Sequence, residues 1–420
     1  MSKSLHILCL FLFLTSSTFS AQIIHHQGQD LQKTIDTASP YATILCDRNE
    51  RLIISATVLI NKPLTIQGLN AALTDSLGKT SILRVTSENV AITDFELYGN
   101  TATVEQVNRA PLITIEIGKF RVERGRFVNS SKDGVEINTV RDGGDIVGGV
   151  VRDIVGEGVV RDVVSISGSG RTDGLKVRNV FVENIHGINS KLRGVVEVSD
   201  GAENITVRTV FAKNCVYAID VQDHKKPKQI NNNIVIQDVY AIDCRHAIRT
   251  ANRPFGHSNL TIRDVVAERC ERPLDISHTN RLTLDNVHII DHSGERPAVH
   301  IDGCSDVAMR DFTITGSGDV SAVLIENTGN VVVDGLTLNK GTGNFASGLT
   351  YLISEDNVFS HLRIRNVAVS NTQPNGIVLK NTSKSGTLTD YVITNNIATI
   401  SDGIKGNNVV ISGNITPESN

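Results

Sequence analysis

Beyond about residue 125 the chain repeats one phrase: a short run in which apolar and polar residues alternate, a turn built on Asn, Asp or Gly, and another alternating run. NITVRTVFAKN, NIVIQDVYAID, NLTIRDVVAER, RLTLDNVHIID and NVVVDGLTLNK are five instances. Alternation of period two predicts strands with one face buried, because successive side chains of a strand point to opposite sides. Aligning the runs places Glu136, Ser165, Glu197, Asp220, Arg249, Asp275, His300, Leu324, Tyr351, Val378 and Lys405 in one column, with a mean step of about 27 residues. A unit of that length cannot bury its own apolar face, so successive units must stack into a solenoid. Val and Ile dominate in place of a leucine ladder. The pattern therefore predicts an all-β, single-stranded right-handed parallel β-helix of about 11 or more coils.

Three features follow from stacking. Asn204, Asn233, Asn259 and Asn330 each precede a strand, where Asn takes a left-handed turn and bonds to the next coil. Cys215, Cys244 and Cys270 each stand five residues before a column position, which predicts an inward stack of thiols rather than disulfides or a zinc site. Near the start, QDLQKTIDTASP offers Asp30 as an N-cap, Leu31 and Ile35 on one face and Pro40 as a stop. This predicts a short helix capping the open end of the first coil.

Composition adds little against this picture. Aromatic content is 4%, Trp is absent and Gly is abundant at 34, all in keeping with strands and turns. Lys3 followed by the apolar run LHILCLFLFL and then small residues reads as a signal peptide over 1–21, so a secreted or periplasmic location is expected. No later run reaches the roughly 20 apolar residues of a membrane span. Residues 22–125 read as an N-terminal cap with irregular first coils, and 126–420 as regular coils. A net charge of -4 does not suggest nucleic acid and makes any charge specificity local, and the solenoid is expected to be a monomer.

The texture resembles the pectate-lyase-like superfamily of secreted β-helix proteins over nearly the whole mature chain. The resemblance implies cleavage or epimerisation of acidic polysaccharides. Within the column, Glu197, Asp220, Arg249, Asp275 and His300 are five consecutive ionisable residues, and equivalent positions on adjacent coils lie about 4.8 Å apart. They are expected to form an outward ladder. The bland alternative is a surface ladder of alternating charge.

Following loops supply His224, Lys225 and Lys228 after Asp220, Asn252 and Arg253 after Arg249, and His278 after Asp275. This basic patch suits a polyanionic sugar chain. β-Elimination of a uronate needs its carboxylate neutralised, a base and an acid. Arg249, Lys228, Lys225 and His224 are the catalytic candidates. Arg253, Asn252, Asp275, His278, His300 and Tyr351 are candidates for holding substrate. The alginate and chondroitin lyase branch of the superfamily pairs a Lys base with an Arg acid one coil on, usually with calcium. Lys228 and Arg249 look like that pairing, and Glu197 with Asp220 could supply calcium ligands of the hard oxygen type. Sequence leaves open a uronan epimerase, a glycoside hydrolase and a non-catalytic carbohydrate-binding or adhesin solenoid.

Overall fold

The computed structural model describes residues 21–26, 28–74, 80–101, 109–140, 143–168, 174–224, 230–251, 256–338, 345–369, 372–404 and 408–415. Residues 1–20, within the expected signal peptide, and Lys225, Lys228, Asn252 and Arg253 lie outside them. Within the described residues there are 31 strands and one helix, and every strand pairing is parallel, each strand meeting its counterpart one coil away. The chain is a right-handed parallel β-helix of about 12 turns.

The helix Leu31–Thr37 sits where the sequence places it. Asp30 caps it, accepting hydrogen bonds from the amides of Gln32 and Lys33, and buries Leu31 and Ile35 under the first coils. The core is a continuous column of Val, Ile and Leu supplied by alternate residues of every strand, as in Ile219, Ile248, Leu274 and Val299. Such inward stacks remove large apolar areas from water at about 25 cal/mol per Å2 and are the main source of stability.

Two faces matter for function. One carries short strands: Val135–Asn138, Val164–Ser167, Gly194–Ser199, Tyr217–Gln222, His246–Ala251, Leu274–Ser277 and Val299–Asp302. The other carries long strands, such as Val177–Ile188, Ala202–Lys213, Asn232–Ile242 and His257–Glu268. The long strands bend because one residue in five takes a left-handed conformation: Asn204, Thr209 and Asn214 have φ of 54°, 55° and 55°, and Asn233, Asp238 and Asp243 repeat the spacing on the next coil. Asn and Asp tolerate this region by bonding locally, whereas a β-branched Thr there is strained. The predicted corner residues Asn204, Asn233, Asn259 and Asn330 all have positive φ. Asn233 donates to the Asn204 amide oxygen at 2.7 Å and Asn204 to that of Asn179 at 3.1 Å, linking corner to corner up the coil stack.

Cys215, Cys244 and Cys270 are buried free thiols, as the spacing implies, and Cys304 is a fourth. Burial pushes the Cys304 thiol up to about 12. Among the described residues no helix is long and apolar enough to cross a membrane.

The alternating charge ladder exists, on the long-strand face. Glu123, Arg152, Glu183, Arg208, Gln237, Arg263, Asp285, Arg310, Asp334 and Arg365 pair rung to rung. Arg152 meets Glu123 at 3.0 Å and Arg365 meets Asp334 at 2.7 Å. Gln237 stands between two arginines, where it accepts from Arg263 at 2.5 Å. Exposed pairs of this kind each contribute about 0.2–1 kcal/mol and set register more than stability.

Candidate active site

The column of the short-strand face is real from Glu136 to Leu324: Glu136, Ser165, Glu197, Asp220, Arg249, Asp275, His300 and Leu324 are partners on successive coils. It then departs from the sequence alignment. Leu324 pairs with Thr350, not Tyr351, and Thr350 pairs with Val378, which pairs with Ser401. Tyr351 points into the core, 0% exposed, and its hydroxyl donates to the Thr328 carbonyl, so it cannot stack on a ligand. Register shifts along Ser305–Glu326 and Phe345–Ile353 account for the slip.

The ladder is also not uniformly outward. Glu197 and Asp220 are 1% and 0% exposed, and every residue of Gly194–Ser199 and Tyr217–Gln222 is buried. Arg161 and Arg193, each four residues before a column position, reach back over the face. Arg193 meets Glu197 at 2.6 Å and Arg161 meets it at 3.3 Å, while Gln222 donates to its other oxygen. Asp220 takes a two-point bond from Arg249, with Nε at 3.0 Å from Oδ1 and Nη2 on Oδ2. The guanidinium lies 5.3 Å over the Tyr217 ring. These carboxylate oxygens are engaged by cations, and among the described residues no three His, Cys, Asp or Glu side chains converge as metal ligands. The pair Glu197 and Asp220 therefore does not fit a calcium site.

Beneath this layer lies a further acid. Asp162 is fully buried, and it accepts the Tyr217 hydroxyl at 2.8 Å and the Gly194 amide at 3.3 Å. Burial, then the charges of Glu197 and Asp133, hold its carboxyl well above the usual range. Among the described residues its Oδ2 accepts no hydrogen bond as a carboxylate, with the Arg161 guanidinium 3.8 Å away, but it donates to Glu197 when protonated. Burial works against ionisation of Glu197 too, yet bonds from Asp162, Arg193 and Arg161 hold it at about 2. Asp133, one coil earlier, is raised to about 6 by burial against Arg161 and Lys132. Asp220 is likewise raised by burial, which its bond to Arg249 only partly offsets.

Two histidine–carboxylate pairs belong to the short-strand side of the helix, one of them on the rungs beyond Arg249. His300 Nδ1 lies 3.1 Å from Asp275, on the two rungs beyond Arg249. Burial lowers the His300 pKa and the Asp275 bond and charge raise it, with a net rise. On the turns after Gly194–Ser199 and Tyr217–Gln222, His224 Nδ1 lies 2.7 Å from Asp200, which also accepts the His224 amide at 2.9 Å. The bond from Asp200 outweighs burial and raises His224. His246, next to Arg249's strand start, is buried, accepts no charge and is lowered to about 4 by burial. His278 is exposed at the turn after Leu274–Ser277, at φ 46°, away from the column.

Arg249, Asp275 and His300 are thus brought together on successive rungs, while His224 lies on the turn four residues past Asp220, and all four side chains are partly open: Arg249 30%, His300 31%, Asp275 27% and His224 47% exposed. Asp162, Arg161, Arg193, Asp200 and Tyr217 complete the network and were missed as site residues. For Arg161 and Arg193 a signal was present: with Lys132 and Arg245, each stands four residues before a column position.

No protein-family profile matches the chain, and no curated protein matches it in sequence. Solved structures do resemble it. The catalytic domain of a GH87 alpha-1,3-glucanase variant in complex with nigerose matches with a TM-score of 0.51 at 9% identity, over 94% of this chain and 69% of that one. The pre-mature gene product 12 of bacteriophage phi29 matches with a TM-score of 0.53 at 13% identity, over 90% and 52%. A family 28 exopolygalacturonase of Yersinia enterocolitica matches at 0.46 and 11%, over 80% and 78%. Identities this low establish the shared β-helix and no chemistry.

Proposed function

We propose that this chain is an exported carbohydrate-active enzyme that cleaves an acidic, uronate-containing polysaccharide by β-elimination on the short-strand face. The observation that carries the reading is the partly open guanidinium of Arg249, aimed by Asp220 and one rung before the Asp275–His300 pair, with a second histidine–carboxylate pair, Asp200–His224, on the turns that follow the neighbouring short strands.

Elimination begins when a cation neutralises the uronate carboxylate, which acidifies the adjacent ring carbon. Asp220 engages the Nε–Nη2 edge of Arg249 and leaves Nη1 outside the pair, so the guanidinium is aimed by one carboxylate and free to meet a second. His300, in its neutral form, takes the ring proton on Nε2, the nitrogen not bonded to Asp275, which has no hydrogen-bond partner among the described residues and lies 3.9 Å from Glu326. The electron pair left on that carbon becomes the ring double bond, and the bond from the neighbouring carbon to the glycosidic oxygen breaks. His224, kept protonated by Asp200, returns a proton to the departing oxygen. Lys225 and Lys228, in the segment after His224, are the alternative proton acceptors. The same proton abstraction followed by return to the opposite face would be epimerisation.

A hydrolytic reading draws on Asp162 and Glu197, two carboxyl groups whose environments push their pKa values apart, the pattern glycosidases use. A GH87 glucanase is among the structural neighbours. Both groups are buried under Arg161 and Arg193, so the partly exposed rings of His224 and His300 support elimination better.

The test is to incubate the purified chain with alginate, pectate, glycosaminoglycans and ulvan, with and without a calcium chelator, and follow three products. Ultraviolet absorbance of an unsaturated uronate supports elimination. Solvent-proton exchange without chain cleavage shifts the reading to epimerase, new reducing ends without a double bond shift it to hydrolase, and silence in all three refutes it.

A further inference from the structure

On the long-strand face, the outward column two residues beyond the left-handed corner runs Val155, His186, Phe211, Tyr240, Val266 and His288 on successive coils. The Lys, Arg, Asp and Glu side chains that dominate the adjacent ladder are absent from these six rungs, which at about 4.8 Å per coil make a strip roughly 24 Å long. Its centre is aromatic. The His186 and Phe211 ring centroids are 5.6 Å apart, and those of Phe211 and Tyr240 are 5.9 Å apart. Val155 and Tyr240 are 38% and 37% exposed, so the strip faces out.

The rings are held in place. His186 Nε2 bonds the Asn184 amide oxygen at 3.1 Å, and Asn184 donates to Asp153 at 2.8 Å. The unit recurs further up, with His288 on Asn286 at 2.9 Å and Asn286 on Asp264 at 2.7 Å. Tyr240 donates to Glu268 at 2.8 Å. A fixed aromatic platform whose border presents acceptor oxygens matches a ligand with flat apolar faces and hydroxyl donors at its rim. A pyranose chain has that form. The border is acidic along the corner, at Asp153, Asp238 and Asp264, which disfavours a polyanion and favours a neutral glycan.

We infer that the strip from Val155 to His288 is a binding platform for a neutral polysaccharide chain, laid along the helix axis on a different face from the proposed elimination site.

The test is affinity electrophoresis of the full chain in gels containing neutral polysaccharides with glucose, xylose, mannose or galactose backbones, beside alginate and pectate. At least one neutral polymer should retard the protein. Tyr240→Ala and His186→Ala should each weaken that retardation about tenfold, the scale of losing one aromatic stacking contact. Tyr240→Phe should keep most of it. Circular dichroism and melting curves verify that each variant is folded, and Tyr240, being partly exposed, leaves little cavity when truncated. Arg249→Ala should leave retardation unchanged, which separates this platform from the elimination reading: either can fail while the other stands. No retardation by any neutral polymer, retardation by the acidic polymers alone, or wild-type binding by both folded ring variants overturns the inference.

Discussion

Replacing Arg249 with alanine removes the two-point partner of Asp220, a carboxylate that is 0% exposed, and the size of the damage can be worked out. Removing one member of a buried ion pair costs about 3–5 kcal/mol, and with 30% of the Arg249 side chain exposed the lower end applies. Asp220 can escape by taking up a proton. At pH 7 that route costs about 1.36 × (7 − 3.9), roughly 4 kcal/mol, and near pH 5 only about 1.5 kcal/mol. The loss in Arg249→Ala is therefore about 3 kcal/mol at neutral pH and at most about half of that near pH 5. The sign follows from linkage. Asp220 already has a raised folded pKa, and losing Arg249 raises it further, so the folded state holds more protons than the unfolded one and stability falls as pH rises. Asp220→Asn combined with Arg249→Ala should remove that pH dependence. The assay is chemical denaturation at both pH values, with amide hydrogen exchange over Tyr217–Gln222 and His246–Ala251 to localise the effect, since a solenoid unfolds regionally. A loss below about 0.5 kcal/mol at pH 7, or an equal loss at both pH values, would refute the reasoning.

Other consequences can be checked alongside. Asp275→Asn should lower the His300 titration midpoint followed by NMR, because the carboxylate is what raises it against burial; an unmoved midpoint would detach the pair. His300's raised pKa also means its ion pair stabilises the fold at low pH and that this contribution fades as pH climbs through the folded value, whereas elimination, which uses neutral His300, should rise over the same range. Gly194→Ala places a Cβ 1.9 Å from the Tyr217 carbonyl oxygen, so it should lower the melting temperature sharply or abolish soluble expression, and a wild-type melt would contradict the packing. Cys215, Cys244, Cys270 and Cys304 should stay inert to thiol reagents in the native protein and react on denaturation; prompt native reaction would mean the stack is open.

The coil, its corner asparagines, its thiol stack and its capping helix were legible because each repeats a local physical preference at a fixed spacing. Register was legible for as long as coil length varied smoothly. It failed at Tyr351, where a bulged strand passes through two faces and the regular step lands one residue late; a one-residue slip turns an outward position into a core one. Burial of the column was not legible either. Alternation marks Glu197 and Asp220 as outward, but it does not say that Arg161 and Arg193 fold back over Glu197 and that Arg249 covers Asp220. That contact depends on long side chains reaching between coils, which no strand pattern records. Asp162 was hidden for the opposite reason: an aspartate beside a turn is usually there for the turn. Its partners, Tyr217 and Glu197, come from later coils, 55 and 35 residues on. The long-strand aromatic strip was present as a one-residue column of mixed identity and carries no motif to read.

The most direct test of the central claim is the ultraviolet time course on the uronan panel with four proteins side by side: wild type, Arg249→Ala, Arg249→Lys and His300→Ala. The account predicts that wild type builds unsaturated product on one acidic polymer, that Arg249→Ala and His300→Ala lose at least about a hundredfold of that rate, and that Arg249→Lys recovers little because a point charge cannot reproduce the guanidinium's two-sided fit to Asp220 and substrate. Wild-type product formation that survives in both folded alanine variants would contradict the assignment of this site.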